Sequence, residues 1–251
     1  MAQFDIIFDF FSLKLTSEIE LISKRVPKKL YEPVIYSLNM GGKRIRPVLL
    51  LMAYQMFRSD LEKALPAAFA IELFHNFTLL HDDIMDDARL RRNFKPVHLE
   101  YSNNAAILSG DAMSILSYEY ITKCDSINSK EIIDLYTNTA LKICEGQQFD
   151  MDFETINDVS VDDYINMIGL KTAILLATSL KMGSIIADAH VEDAQLLYEM
   201  GYNLGLAFQI QDDLLDTFGE QDTFGKTIGG DIVSNKKTFL TPKTSKLFKI
   251  C

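Results

Sequence analysis

The sequence predicts an all-α protein, a large single-domain helical bundle, and three observations carry that prediction. Apolar residues recur at spacings of three and four, as on one face of an α-helix. No segment rich in Val, Ile and Thr alternates apolar with polar positions as a half-buried strand would. The 6 prolines stand at joints between periodic segments and no Gly/Ser linker interrupts them, so residues 1–251 read as one domain.

At 48% hydrophobic content the chain can bury a large core. A net charge of −10 and a pI near 4.9 argue against a general nucleic-acid binder, so any anion site must be a local cluster of cations. Cys124, Cys144 and Cys251 are odd in number and lack metal-ligand spacing, which fits a reducing compartment, the cytosol by default. The N-terminus has no basic flank or small-residue cleavage site, and no 18-residue stretch is free of charge, so neither a signal peptide nor a membrane span is expected.

Phe4, Ile7, Phe8, Phe11, Leu15, Ile19 and Ile22 define an opening amphipathic helix that stops before Pro27, and a short second helix runs to Leu38. Gly41 and Gly42 then lead to Lys43, Arg44, Arg46 and Pro47, ahead of the apolar run Val48 to Phe57. Proline suits the first position of a helix, so three cations stand at a positive helix N-terminus, which is a diphosphate site on first principles. The bland reading is a solvated basic turn.

A third run begins within residues 61–66, where Pro66 is tolerable in a first turn, and ends in Asp82, Asp83, Asp86 and Asp87. Asp82 and Asp86 share a helix face about 6 Å apart along the axis, where like charges repel and a cation relieves them. Mg²⁺ is the natural one, a hard ion that takes carboxylate oxygens and leaves positions for water and phosphate. Acidic clusters are more often solvated faces, but Asp212, Asp213 and Asp216 repeat the pattern at the end of a second apolar run. His75 lies seven residues before Asp82 and on nearly the same face, although a lone histidine there is more often a satisfied core residue. Arg89, Arg91, Arg92 and Lys95 follow the first acidic group, either as salt-bridged surface or as a clamp in which Arg91 and Arg92 grip phosphate with two donors each.

Small residues Ala105, Ala106, Ser109, Gly110 and Ala112 mark a close-packing helix from about Asn103 to Cys124. Ser129 is expected to cap the next, which ends in the polar group Gly146, Gln147, Gln148 and Asp150. Ser160 with Asp163 forms a capping box with Asp in place of Glu, opening a helix that carries Lys171 and Thr172 after Gly169. A lysine so placed ordinarily snorkels to the surface. The glycine-rich stretch around Lys226 lacks the spacing of a Walker loop.

Taken in order, the Gly41 to Pro47 segment, His75, both Asp-Asp-x-x-Asp groups, Gln147 with Asp150, Lys171 with Thr172, Gln209, and Lys226 with Asp231 closely resemble the trans-isoprenyl diphosphate synthases of the farnesyl and geranylgeranyl type, the polyprenyl synthetase family. The resemblance spans about residues 40–240. It implies an all-α isoprenoid-synthase fold around a deep central cavity, a homodimer, and the joining of isopentenyl diphosphate to an allylic diphosphate. By that likeness Asp82, Asp83, Asp86, Asp212 and Asp216 hold a cluster of three Mg²⁺ on the allylic diphosphate, assisted by Arg91, Lys171 and Lys226. Lys43, Arg46, His75 and Arg92 hold isopentenyl diphosphate, Lys236 joins the substrate contacts, and Thr172 and Gln209 either support the residues that touch substrate or face the reacting cation.

Two departures accompany the likeness. Asn93 stands where the family commonly has glycine, and asparagine tolerates the left-handed conformation. Family members also continue well past Lys236, so the domain is read as shortened at its C-terminus. A class I terpene cyclase would not need the second diphosphate site, and its Asn, Ser and Glu motif is missing. A noncatalytic partner subunit of a heteromeric synthase would be expected to have lost an acidic group. For product length, Phe74, Phe77 and Thr78 are the candidate floor. Helical geometry favours Thr78 as the lining residue, whereas by the family likeness an aromatic at Phe77 with a small Thr78 implies a C15–C20 range with C20 favoured, from dimethylallyl, geranyl or farnesyl diphosphate.

Overall fold

The computed structural model describes residues 2–124, 126–156 and 158–218, and every regular element among them is helical. Lys226, Asp231 and Lys236 therefore lie outside the described residues. The chain divides into two compact units, the first holding residues up to Ile133 together with Ser179–Ala194, the second Asp134–Thr178 with the described residues from Gln195 on.

The first unit contains α1 (Gln3–Ser23), α2 (Lys28–Asn39), α3 (Ile45–Gln55), a 3₁₀ turn (Leu61–Ala64) continuing into α4 (Leu65–Met85), the short α5 (Val97–Glu100) and α6 (Asn103–Ile121). α1 buries Ile7, Phe11, Leu15 and Ile22, the stripe its spacing predicts. The Phe11 ring meets Phe69 of α4 at 5.6 Å, and Phe69 in turn meets Tyr120 of α6 at 5.6 Å. From Leu65 to Phe74 only Pro66 of α4 escapes burial, so this helix is a core element and not a surface one.

α3 starts two residues before Pro47, not at it. Its first intrahelical bond runs from the Val48 amide to the Arg44 carbonyl at 3.1 Å, so the N–H that Pro47 lacks belongs to the first turn, where none is needed. α6 is capped by Ser102, whose hydroxyl accepts from the Ala105 amide at 3.1 Å. α4 meets α6 at Gly110, where the His81 ring occupies the space a Cβ would need.

The remaining helices are α7 (Ser129–Phe153), α8 (Val161–Ile168), a five-residue π turn (Gly169–Ala173), α9 (Ile174–Ile186) and α10 (Val191–Phe218). Within the second unit Phe153, Val159, Tyr164, Met167 and Ile168 form a core joined by Ile165, Leu206 and Ile210. Ser160 and Asp163 make the expected capping box, the hydroxyl accepting from the Asp163 amide at 3.1 Å and the Asp163 carboxylate from the Ser160 amide at 3.2 Å. Ser129 is not the cap expected of it: α7 begins at Ser129 itself, and its hydroxyl donates backwards to the Ser126 carbonyl. The continuous helical stretch Val161–Ile186 is long and apolar enough to cross a membrane, but 78% of its apolar window is buried within the protein.

Candidate active site

In the first unit the C-terminal end of α4 carries the first acidic group. The chain leaves the helix through a Schellman closure, with the Ala88 amide bonded to the Asp83 carbonyl at 2.9 Å and the Asp87 amide to the Ile84 carbonyl at 3.3 Å. Asp87 occupies the left-handed position of that closure at φ +45°. Asp86 stays on the helical turn, its amide 2.8 Å from the Asp82 carbonyl, so Asp82 and Asp86 keep the shared face the sequence predicts. Asp82 is half-buried and Asp86 exposed. Asp83 is buried and gripped by Arg91, whose Nε and Nη2 both donate to its Oδ1 at 2.9 and 2.5 Å.

Arg91 is delivered by a tight reversal. The Arg91 and Phe94 backbones exchange two hydrogen bonds of 2.9 Å each, with Arg92 at φ +52° and Asn93 at φ +66° between them. Two positive φ values in succession are those of a type I′ turn, for which Asn93 is suited and Arg92 is not. The reversal sends Arg91 to Asp83 and Arg92 to the loop before α3. There the Arg92 guanidinium donates to the Gly41 carbonyl and lies 2.7 Å from where a Cβ on residue 42 would stand. Gly42, at φ +127°, is thus required twice over.

The loop corrects one expectation. Of the three cations assigned to the helix N-terminus, Arg44 turns inward: it is buried at φ +46°, ion-paired with buried Glu72, and donates to the Leu38 carbonyl at 2.5 Å. Lys43 remains exposed, and Arg46 Nη1 stands 3.2 Å from His75 Nε2. Burial first, and then the charges of Arg46, Arg92, Arg91 and Arg44, hold His75 well below its ordinary pKa, so a neutral ring accepts from Arg46. Burial likewise lowers Arg46 to about 10, against the opposing pull of Glu72. For Arg91 burial works the same way, but Asp83 outweighs it and the pKa rises.

The candidate floor residues occupy the preceding turns of α4. Phe74 is buried and Phe77 half-buried, its ring edge-on to Phe74 at 5.3 Å and to His81 at 4.8 Å. Thr78 is half-buried, its hydroxyl donating to the His75 carbonyl at 2.9 Å.

In the second unit Lys171 and Thr172 ride on the π turn, which Gly146 of α7 and Gly205 of α10 both approach too closely for a side chain. Lys171 does not snorkel: its Nζ is 2.6 Å from Asp150 Oδ2, and both side chains are largely covered. Thr172 donates to Gln209 Oε1 at 2.9 Å, Gln209 donates to Asp213 Oδ1 at 3.0 Å, and the fully buried Tyr164 donates its hydroxyl to Asp213 Oδ2. Asp213 is therefore an internal anchor, with Asp212 half-buried and Asp216 buried beside it. Tyr164, Glu72 and Asn76 escaped the sequence reading; a carboxylate at position 72 within an otherwise apolar run was the one available signal.

Among the described residues no three His, Cys, Asp or Glu side chains gather into a closed metal cage. Asp82 and Asp86 on α4, and Asp212 and Asp216 one turn apart on α10, offer the carboxylate oxygens that a hard cation such as Mg²⁺ takes.

Residues 27–247 match the model of the Polyprenyl synthetase family. A short chain isoprenyl diphosphate synthase of Methanocaldococcus jannaschii is 41% identical over 84% of this chain and 65% of its own length. A geranylgeranyl diphosphate synthase of Methanosarcina mazei is 39% identical over 88% and 69% respectively. The chain thus spans roughly two thirds of the length of these curated relatives. Among solved structures, a geranylgeranyl pyrophosphate synthase superposes with a TM-score of 0.92 at 47% identity, covering 98% of this chain and 74% of that one. The geranylgeranyl pyrophosphate synthetase of Pyrococcus horikoshii does so with a TM-score of 0.88 at 34% identity, covering 96% and 76%.

Proposed function

The chain belongs to the polyprenyl synthetase family, and we propose that it is a Mg²⁺-dependent prenyltransferase that joins isopentenyl diphosphate to an allylic diphosphate and releases a short-chain prenyl diphosphate, C20 in the main. The observation that carries this reading is a charge inventory. Glu72 offsets Arg44 and Asp83 offsets Arg91, whereas Lys43, Arg46 and Arg92 have no carboxylate partner among the described residues. Arg46 and Arg92 near a neutral histidine, with Lys43 exposed on the loop before α3, suit a diphosphate, and we assign the three cations with His75 to isopentenyl diphosphate.

Asp82, Asp83, Asp86, Asp212 and Asp216 are the carboxylates we assign to Mg²⁺, whose contribution when bound is to neutralise charge on the departing diphosphate. Arg91 adds its guanidinium to that task while fixing Asp83, and Lys171 adds its ammonium. Thr172 and Gln209, locked to one another and to Asp213, present fixed oxygen dipoles toward the reacting allylic group. Phe74, Phe77 and Thr78 form the floor of the growing chain's path, with Phe77 braced by His81. A homodimer in the cytosol completes the proposal, supported by the family and by the cysteine usage.

Incubation with isopentenyl diphosphate, Mg²⁺ and each allylic primer in turn tests the reading, with products resolved by chain length. Geranylgeranyl diphosphate is the expected main product, shortened to C15 in Thr78→Phe and lengthened in Phe77→Ala. No product from any primer overturns the activity, and an unchanged distribution in Thr78→Phe removes the floor assignment alone.

A further inference from the structure

We propose that Glu72, acting through Arg44, is a positioning residue that sets the loop of residues 41–47 for its diphosphate, a role that rests on the assignment of that loop to isopentenyl diphosphate. Glu72 is 1% exposed in the middle of a helix whose neighbours from Leu65 to Phe74 are otherwise apolar. A carboxylate there is costly unless it is held, and it is held from two sides. Asn76, one turn on, donates its amide to Glu72 Oε1 at 2.7 Å and to the Glu72 carbonyl at 2.8 Å, which fixes the side chain. Arg44 closes the other side with its ion pair and spends a second donor on the Leu38 carbonyl at the end of α2.

What this network holds is a backbone conformation. Arg44 sits at φ +46°, a region that a residue with a long side chain occupies only where its surroundings demand it. With Arg44 pulled inward, its neighbours are disposed the other way: Lys43 stays exposed and Arg46 reaches His75. His75 lies one turn after Glu72 on α4, so one helix grips the loop at two points, Glu72 to Arg44 and His75 to Arg46. Stability alone does not account for the arrangement, because buried ion pairs are commonly replaceable by apolar side chains without loss of stability. Glu72 Oε2 is buried without a hydrogen-bond partner, so the pair is not tuned for complete internal satisfaction.

Glu72→Gln, Arg44→Lys and the apolar double variant Arg44→Met with Glu72→Leu separate position from stability. Each should raise the KM for isopentenyl diphosphate about tenfold while kcat and the KM for the allylic substrate stay within about twofold, and the double variant should melt at the wild-type temperature. Calorimetric titration with inorganic pyrophosphate in EDTA should show the same tenfold loss, since without divalent metal the acidic groups offer no competing site. A folded double variant with wild-type KM and wild-type pyrophosphate affinity would show the pair to be structural and overturn the proposal. Equal effects on both substrates would do the same. Should the wild type turn over no substrate, the proposed activity fails, yet the pyrophosphate titration still decides whether Glu72 orders an anion site; a wild type that binds no pyrophosphate overturns both.

Discussion

The two units place functional side chains by opposite means. In the first, Lys43, Arg91 and Arg92 sit on loops and Arg46 in the first turn of α3, and every positive backbone φ among the described residues falls in this unit. In the second, Asp150, Lys171, Thr172, Gln209, Asp212 and Asp216 all sit within helices, and the one irregularity is a π turn. The difference follows from what is held. The cations proposed to converge on one anion are brought together by reversals of the chain. Groups that need only a fixed direction are set by helical register and by hydrogen bonds such as Thr172 to Gln209.

The largest expected effect lies where the two units are alike. Asp82→Ala and Asp212→Ala should each lower kcat/KM on the order of a thousandfold, with melting temperature unchanged or raised, because each removes a member of a like-charged group. Wild-type rates in either variant, or in excess EDTA, would break the parallel between the acidic groups.

Next comes the helical unit. Tyr164→Phe leaves buried Asp213 without its hydroxyl donor and should cost about 1–3 kcal/mol of unfolding free energy in denaturant titrations, with kcat falling more than either KM as the Gln209 and Thr172 dipoles loosen. A variant equally stable and equally active would show Asp213 to need no anchor.

In the loop-built unit, Gly42→Ala should raise the KM for isopentenyl diphosphate several-fold, since it strains a position at φ +127° and displaces Arg92. Unaltered KM would mean that Arg92 binds nothing there.

The smallest effect is one of pH. His75 has a folded pKa well below 6.5, so on acidification the unfolded chain takes up its proton first and stability falls as the pH drops through 6.5. Thermal melts of His75→Asn should show a shallower acid slope below pH 6.5 than the wild type, and parallel slopes would show that burial and the arginines do not hold the ring neutral.

The same contrast explains what the sequence could reveal. Helices follow from local spacing, so α1, the Ser160 capping box and the shared face of Asp82 and Asp86 were all readable. The left-handed tolerance expected of Asn93 is used, because it depends on that residue alone. What stayed hidden depends on distant partners. Arg44 reads as one more surface cation until Glu72, 28 positions on, is brought beneath it. Asp213 is indistinguishable from Asp212 until Tyr164 claims it, and Ser129 reads as a cap because its hydroxyl's true acceptor is a loop carbonyl.

The π turn at Gly169–Ala173 makes the helix run Val161–Ile186 longer by one residue than an α-helix of the same pitch would be. The Ile174 amide reaches back five residues to Gly169 instead of four. Removing a single residue within the turn would restore ordinary winding, and the helix would close without a gap. The flanking turns would keep their facing, because the bulge absorbs the rotation of about 100° that one extra residue adds, and only the residues of the turn itself, Lys171 and Thr172 among them, would change places. Such a deletion would leave Val161–Ile186 fully helical while taking Lys171 from Asp150 and Thr172 from Gln209.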